Sequence, residues 1–179
     1  MKLKKVITGL LSVLVLVACS STQSLQEYIV ENSENPNFLS IDLPASLLNL
    51  DEANLSADDK KSLDSLRKLN VLAFKKDDAN DAEFQMEKTK VRAILKGDKF
   101  TELMKINTAY GKASIKYLGE EDAIDEVVIY GDNEEKGFLL VRVLGDDMNP
   151  AKMMNFIQLL QKSEFKGGGM DQLESLFKG

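Results

Sequence analysis

The sequence predicts a single α+β domain, in which a largely antiparallel sheet packs against several helices. The segments 125–130 and 138–144 are rich in β-branched and apolar residues, and they flank the polar connection 132–137, as in a hairpin. Amphipathic helical patterns alternate with such strand-like segments along the chain, and no repeat of fixed period appears. The residues from 19 to 179 are enough for one sizeable core.

The first eighteen residues have the pattern of a secretory leader. Lys2, Lys4 and Lys5 precede an uncharged apolar run from Val6 to Val17. That run is shorter than the about 20 residues needed to span a bilayer. The following residues, Leu16-Val17-Ala18-Cys19, resemble the bacterial lipobox. The resemblance implies that residues 1–18 are removed and that Cys19 is acylated; the alternative is an ordinary signal peptide followed by an incidental cysteine.

Acylation of Cys19 would anchor the protein to a membrane. One acyl chain binds only marginally, at about 0.8 kcal/mol per buried methylene. The resemblance to the lipobox implies two or three acyl chains on Cys19, so we expect a stable anchor. Residues 19–23 would form a short lipidated tether, with no acidic run after Cys19. We therefore expect a cell-envelope protein on the periplasmic face of the outer membrane.

The composition excludes several kinds of chemistry. The chain has no histidine and one cysteine, which excludes Ser-His-Asp and Cys-His catalysis and argues against a zinc or redox enzyme. Loss of the three lysines in residues 1–18 changes the net charge from −6 to −9. An acidic protein repels nucleic acid and anionic lipid, so we expect neither as a partner. We also expect no metal and no cofactor.

The N-terminal half alternates helices and strands. Ser24 and Glu27 form a capping box that predicts a helix start, and 38–43 predicts a strand stopped by Pro44. Residues 45–50 predict a short helical turn. A helix is expected from Ser56, with Leu63, Leu66 and Leu69 on its buried stripe, and a strand at 70–74.

The second half begins with a predicted helix at 83–95 that ends at Gly97. Asp98 is expected to begin another short helix carrying Phe100, Leu103 and Met104. A strand is predicted at 113–118, with Ile115 and either Leu118 or Tyr117 facing the core. Asn149 and Pro150 predict a helix start.

These patterns place the α+β domain at residues 24–166. Residues 167–179 contain a glycine linker and a short amphipathic segment. That segment either folds back on the domain or forms a mobile arm.

Three patterns could support chemistry, and each has a plainer interpretation. Ser65 and Lys68 match S-x-x-K, the nucleophile pattern of penicillin-recognising enzymes, but the partner motifs are absent. We interpret them as polar residues on an exposed helix face. The acidic clusters 120–126, 132–135 and 146–147 are interpreted as solvated turns. The methionines, which are more often core filler than copper ligands, are Met148, Met153, Met154 and Met170.

The chain resembles the family of domains of unknown function DUF4252, known from Bacteroidetes lipoproteins. The resemblance rests on the lipobox, on 40–44, on the helical pattern of Phe100, Leu103 and Met104, and on the strand pair 126–130 and 138–143, followed by Gly145-Asp146 and the closing helix from Pro150. It implies a small α+β domain on a lipid anchor, with no established reaction and no catalytic residues. It also suggests a role in envelope signalling.

Two classes of function follow from these observations. The first is a non-catalytic binding or accessory module of the envelope, which binds a protein or another envelope component. The second is a hydrolase that acts on cell-wall or glycan substrates through Ser65 and Lys68 or through carboxylates. The anchor, the short tether and the lack of catalytic residue types favour the first class, with Cys19 as the single assigned site.

Overall fold

A computed structural model of the chain describes residues 23–47, 56–108, 111–151 and 153. The α-helices are α1 (Leu25–Asn32), α2 (Ala57–Asp64) and α3 (Asp81–Leu95), with a short 3-10 helix at Ala45–Leu47. The strands are β1 (Phe38–Pro44), β2 (Leu66–Lys75), β3 (Thr101–Thr108), β4 (Gly111–Glu120), β5 (Ala123–Asn133) and β6 (Gly137–Met148). A further helix begins at Pro150.

All six strands form one antiparallel sheet in the order β1-β2-β6-β5-β4-β3. The strands from β3 to β6 follow one another as a meander, and β2 joins this meander to the edge strand β1. The antiparallel sheet confirms the expected architecture. The described residues contain three bounded helices, fewer than the sequence suggested, so this part of the chain is mostly β.

The predicted hairpin 132–137 is confirmed as the connection between β5 and β6. Asn133 pairs with Gly137, and Asp132 pairs with Phe138. Gly137 has a φ of 118°, and a Cβ at this position would collide with the carbonyl oxygen of Phe74 on β2. Glycine is therefore needed both for the backbone conformation and for the close approach of β2.

The sheet buries apolar residues on both faces. We call the face that carries α1 and α3 the helical face; its core is an aromatic cluster in which the Phe74 ring lies 5.0 Å from Phe38 and 5.6 Å from Phe138. The opposite face, near α2, buries residues from five strands and the start of the last helix: Leu43, Leu66, Leu69, Ile115, Tyr117, Ile124, Val127, Val143, Met148 and Met153. The burial of Met148 and Met153 confirms their interpretation as core residues.

The helix predicted from Ser56 is shorter than expected. It ends at Asp64, and Leu66 and Leu69 belong to β2 instead of to a helical stripe. The β2 strand lies between β1 and β6 and is covered on both faces, so Leu69 and Val71 face one side while Leu72 faces the other. A strand buried on both sides lacks a clear alternation, which explains the wrong prediction.

The short helix predicted from Asp98 is also wrong. Leu103 and Met104 lie in β3, whose Met104 pairs with Ile115 of β4. The backbone hydrogen bonds of this segment are made with β4. Three apolar residues in the sequence could not predict this pairing with another strand. On β4 itself, Ile115 and Tyr117 are buried on the same face, while Leu118 lies on the helical face.

The helix starts predicted at Ser24 and at Asn149–Pro150 are confirmed. The backbone N–H of Glu27 donates to Ser24 Oγ at 3.2 Å, and the Ser24 N–H donates to Glu27 Oε2 at 2.8 Å. The Met153 N–H donates to the carbonyl of Asn149 at 2.9 Å. No helix within the described residues is long and apolar enough to cross a membrane. The leader, Cys19, residues 48–50 and the tail 167–179 lie outside the described residues.

Candidate functional site

The polar side chains of the helical face lie on β3, β4 and β5 and along one row that continues from Arg142 of β6 to Asn70 of β2 and Asp42 of β1. Paired residues on neighbouring strands share a face, so the register arranges these side chains in rows. One row runs from Lys116 through Val128 to Arg142, and the next from Lys105 through Ser114 to Tyr130. The apolar residues under α1 and α3 give way here to charged ones, and two grooves open on this surface.

The first groove, which we call the inter-helix groove, lies between the start of α1, the end of α3 and the sheet. Its volume is about 610 Å³. Its apolar lining includes Leu25, Ile94, Phe100 and Leu118, and its charged lining includes Glu126 and Arg142. The rest of its polar lining is Gln23, Ser24, Gln26, Lys96, Asp98 and Lys99, so the groove has an apolar part and a polar, charged part. A concave surface of this size is a candidate site for a small molecule or a peptide.

Glu126 and Arg142 form a buried ion pair in the lining of this groove. Arg142 Nη2 lies 2.6 Å from Glu126 Oε2, and the two side chains are 12% and 8% exposed. Arg142 Nη1 also donates to the side-chain oxygen of Gln26 on α1. Two further atoms of the pair, Glu126 Oε1 and Arg142 Nε, are buried without a hydrogen-bond partner within the described part of the chain. The ion pair is therefore incomplete.

An incomplete buried ion pair needs an explanation. Desolvating two charges costs several kcal/mol, and the attraction between them offsets this only when the remaining polar atoms are also satisfied. Native proteins leave few buried polar groups unpaired, and each exception calls for a cause such as a bound water or ion, strain or a functional role. A ligand that supplies one donor and one acceptor would complete the pair.

The helix that closes one side of this groove is fixed by a buried hydrogen bond. The Tyr28 hydroxyl of α1 donates to Glu87 Oε2 of α3 at 2.9 Å, and Lys90 Nζ binds Glu87 Oε1 at 2.6 Å. Burial raises the pKa of Tyr28, and the charge of Glu87 raises it further. The hydroxyl therefore stays protonated and donates, which holds α1 on α3 and leaves the groove preformed.

The second groove, which we call the basic groove, lies between the end of α3 and strands β3 to β5. Its volume is about 450 Å³. The charged residues that line it are mostly cationic: Arg92, Lys96, Lys105, Lys112 and Lys116, with Glu102 and Asp132. Arg92 Nη2 binds both carboxylate oxygens of Asp132, at 2.9 and 2.5 Å.

The two S-x-x-K residues lie just before β2 and within it. Ser65 lies between α2 and β2, and its hydroxyl donates to the Ser62 carbonyl at 2.7 Å. Lys68 lies on β2, where its Nζ pairs with Asp42 at 2.6 Å. Each side chain is thus engaged by a different partner. Their interpretation as exposed residues of one helix is also wrong, because α2 ends before either residue.

The acidic clusters are not all solvated turns. Glu120, Glu121 and Asp122 are exposed at the turn between β4 and β5, as expected. Glu126, in contrast, is buried in β5, and that prediction is wrong for it. The sequence contained a signal for this burial. Glu126, Val128 and Tyr130 are two positions apart, so in a strand they lie on the same face. Among the described residues no group of acidic or cysteine side chains could hold a metal ion.

The chain was also compared with known proteins and protein families. The model of the family described as a domain of unknown function, DUF4252, matches residues 28–156. Comparisons with curated proteins and with solved structures returned no match. The matched range contains β1 to β6, α3 and both residues of the buried ion pair. Since it covers more than half of the chain, the protein belongs to the DUF4252 family.

Proposed function

We propose that the protein is a non-catalytic binding module of the bacterial envelope, anchored by lipid at Cys19 on the periplasmic face of the outer membrane. Its ligand would bind in the inter-helix groove. The observation that supports this function best is the buried Glu126–Arg142 pair, which lines the groove and leaves Glu126 Oε1 and Arg142 Nε unpaired.

The unpaired atoms suggest the chemistry of the ligand. Oε1 accepts a hydrogen bond and Nε donates one, while the pair as a whole is neutral. A neutral amide, which carries both a donor and an acceptor, would satisfy both atoms without adding charge to a buried site. Leu25, Phe100 and Leu118 would contact apolar parts of the same ligand. Peptides and N-acetylated sugars of the envelope have this chemistry.

The location of the groove supports a role close to the membrane. Gln23 is the last residue of the predicted tether at 19–23 and Ser24 follows it, and both line the groove. A ligand in the groove would therefore lie beside the anchored end of the domain. Gln26 of α1 accepts a hydrogen bond from Arg142 Nη1, so the guanidinium would bind α1 and the ligand through different nitrogen atoms.

Site-specific photocrosslinking in cells tests this proposal. A photoreactive residue at Gln26, in the groove, is compared with one at Met86, which is 51% exposed on α3 and does not line the groove. We expect an adduct of defined mass at position 26 alone. It should disappear in the double variant Glu126→Leu/Arg142→Met. Equal adducts at both positions, or an adduct that the double variant retains, would contradict the proposal.

A second measurement uses a defined probe. The full-length protein, purified from membranes in a nonionic detergent, is titrated with N-acetylalaninamide while backbone amide resonances are followed by NMR. We expect shifts confined to the lining of the groove, around Gln26, Glu126 and Arg142. Absence of shifts at tens of millimolar in the wild type, together with no crosslink at Gln26, would exclude this site.

A further inference from the structure

The basic groove is rich in cationic residues although the protein as a whole is acidic. The protein has 29 acidic and 23 basic residues and a net charge of −6. Yet the groove is lined by five cations and two carboxylates. A concave surface of one sign concentrates ligands of the opposite sign, even when the whole molecule repels them.

The strand register places these cations around one serine. Ser114 lies on β4 between Lys112 and Lys116, each about 7 Å away along the strand and on the same face. Lys105 is the partner of Ser114 on β3, and Tyr130 is its partner on β5. Three lysines and two hydroxyl groups therefore converge on one part of the sheet.

Several of these groups have no partner within the part of the chain that the structure describes. Lys105 pairs with Glu102 at 2.9 Å, whereas Lys96, Lys112 and Lys116 form no ion pair there. Ser114 makes no side-chain hydrogen bond in the same part of the chain. Their donors are available to a ligand.

Tyr130 provides a second and independent observation. It lines the groove, it is 5% exposed, and its buried hydroxyl has no acceptor for its proton among the described residues. The Arg92 guanidinium lies beside this hydroxyl, but it can only donate, and it binds Asp132. A bound acceptor would therefore complete the hydrogen bonding of the hydroxyl.

From this arrangement we propose that the basic groove binds a small anion, a phosphate or carboxylate group, centred on Ser114. The lysines at 105, 112 and 116 would supply the charge, and Ser114 and Tyr130 would donate hydrogen bonds to the oxygen atoms. This site adjoins the inter-helix groove, with which it shares Lys96 in the lining, but it is centred on β4 and does not depend on the function proposed above. Its charge suits an anion, whereas the neutral ion pair of the other groove suits an amide.

The test is an NMR titration of the full-length protein in nonionic detergent, at constant ionic strength, with pyrophosphate in one arm and citrate in the other. We expect saturable shifts at Lys105, Ser114 and Lys116 with at least one of the two anions. A preference for pyrophosphate would assign the site to phosphates, and a preference for citrate would assign it to carboxylates. Shifts that do not saturate, or that spread over all lysines alike, would overturn the proposal.

Two variants sharpen this test. Lys112→Gln/Lys116→Gln should weaken binding by several-fold and at most about thirtyfold, since each of the two charged contacts contributes up to about 1 kcal/mol. The matched control is Lys60→Gln/Lys61→Gln, which removes the same charge from α2, far in sequence from the groove, and should leave the affinity unchanged. Tyr130→Phe should also weaken binding while the fold is retained. Equal losses in the lysine variant and its control would show only long-range attraction and would refute a built site.

Discussion

The Tyr28 hydroxyl and the Glu87 carboxylate meet at 2.9 Å, and through this hydrogen bond α1 is held on α3. The two residues are 59 positions apart and both are buried. Removing the hydroxyl would leave the buried carboxylate with Lys90 as its remaining partner. The position of α1, and with it the shape of the inter-helix groove, thus depends on a polar contact between distant segments.

Tyr28→Phe should lower the free energy of unfolding by about 1–3 kcal/mol, because Glu87 loses a hydrogen bond in a buried environment. Urea denaturation followed by circular dichroism measures this change. Tyr117→Phe is the matched control: Tyr117 is buried on the opposite face, and its substitution should change stability by less than about 0.5 kcal/mol. Equal effects of the two variants would mean that the Tyr28 hydrogen bond contributes nothing.

The Glu126–Arg142 pair should contribute little net stability, as expected for groups retained for binding. Arg142→Met alone should destabilise the protein by about 3–5 kcal/mol, because Glu126 then remains buried without its partner. The double variant Glu126→Leu/Arg142→Met should recover most of this loss while abolishing the crosslink at Gln26. If the double variant were as unstable as the single one, the pair would be structural.

Glu134 should contribute to the pH dependence of stability. A hydrogen bond from Lys88, at 2.6 Å, holds the pKa of Glu134 below its ordinary value of 4.5, and Gln85 adds to this effect. A carboxylate whose pKa is lowered by folding stabilises the native state above the unfolded pKa, and that stabilisation is lost as the pH falls through the folded pKa. The contribution is therefore complete at pH 7 and is lost as the pH falls below 4.5 and through the lowered pKa of the folded state.

Glu134→Gln should consequently lower the free energy of unfolding at pH 7 by at most about 1 kcal/mol, since Glu134 is largely exposed. The difference from the wild type should shrink as the pH falls below 4.5. Urea denaturation from pH 3 to pH 7 measures it. Glu135→Gln, a neighbouring exposed carboxylate, is the control and should show no such trend. A constant difference across this range would exclude the Lys88 contact as its cause.

Cys19→Ser should abolish lipid attachment, because serine has no thiol to acylate. We expect unprocessed precursor on a denaturing gel and no incorporation of radiolabelled palmitate. Ser20→Ala is a suitable control, since it leaves the proposed modified residue in place and should be processed and labelled normally. Labelling of the Cys19→Ser variant would contradict the lipobox interpretation.

Much of the fold could be predicted wherever the signal was local. The hairpin 132–137 followed from its polar turn and Gly137, and the strand at 38–43 from its alternation and from Pro44. The segment at 98–104 was misread because its few apolar residues fit a helix and a strand about equally. The site was harder to predict because acidic residues favour turns. The sequence around Glu126 also gives no indication that it pairs with Arg142, sixteen positions away.

The sequence by itself determined the fold class, the capping box of Ser24 and Glu27 and the central hairpin. The absence of histidine also excluded catalysis that depends on this residue. These features depend on residue type or on contacts within a few positions of the chain. The tertiary structure alone decided that 101–108 is a strand, that Glu126 meets Arg142 beneath α1, and that the lysines of β3 and β4 surround Ser114. Strand register brings distant residues onto one face, and register is set by the packing of the whole sheet.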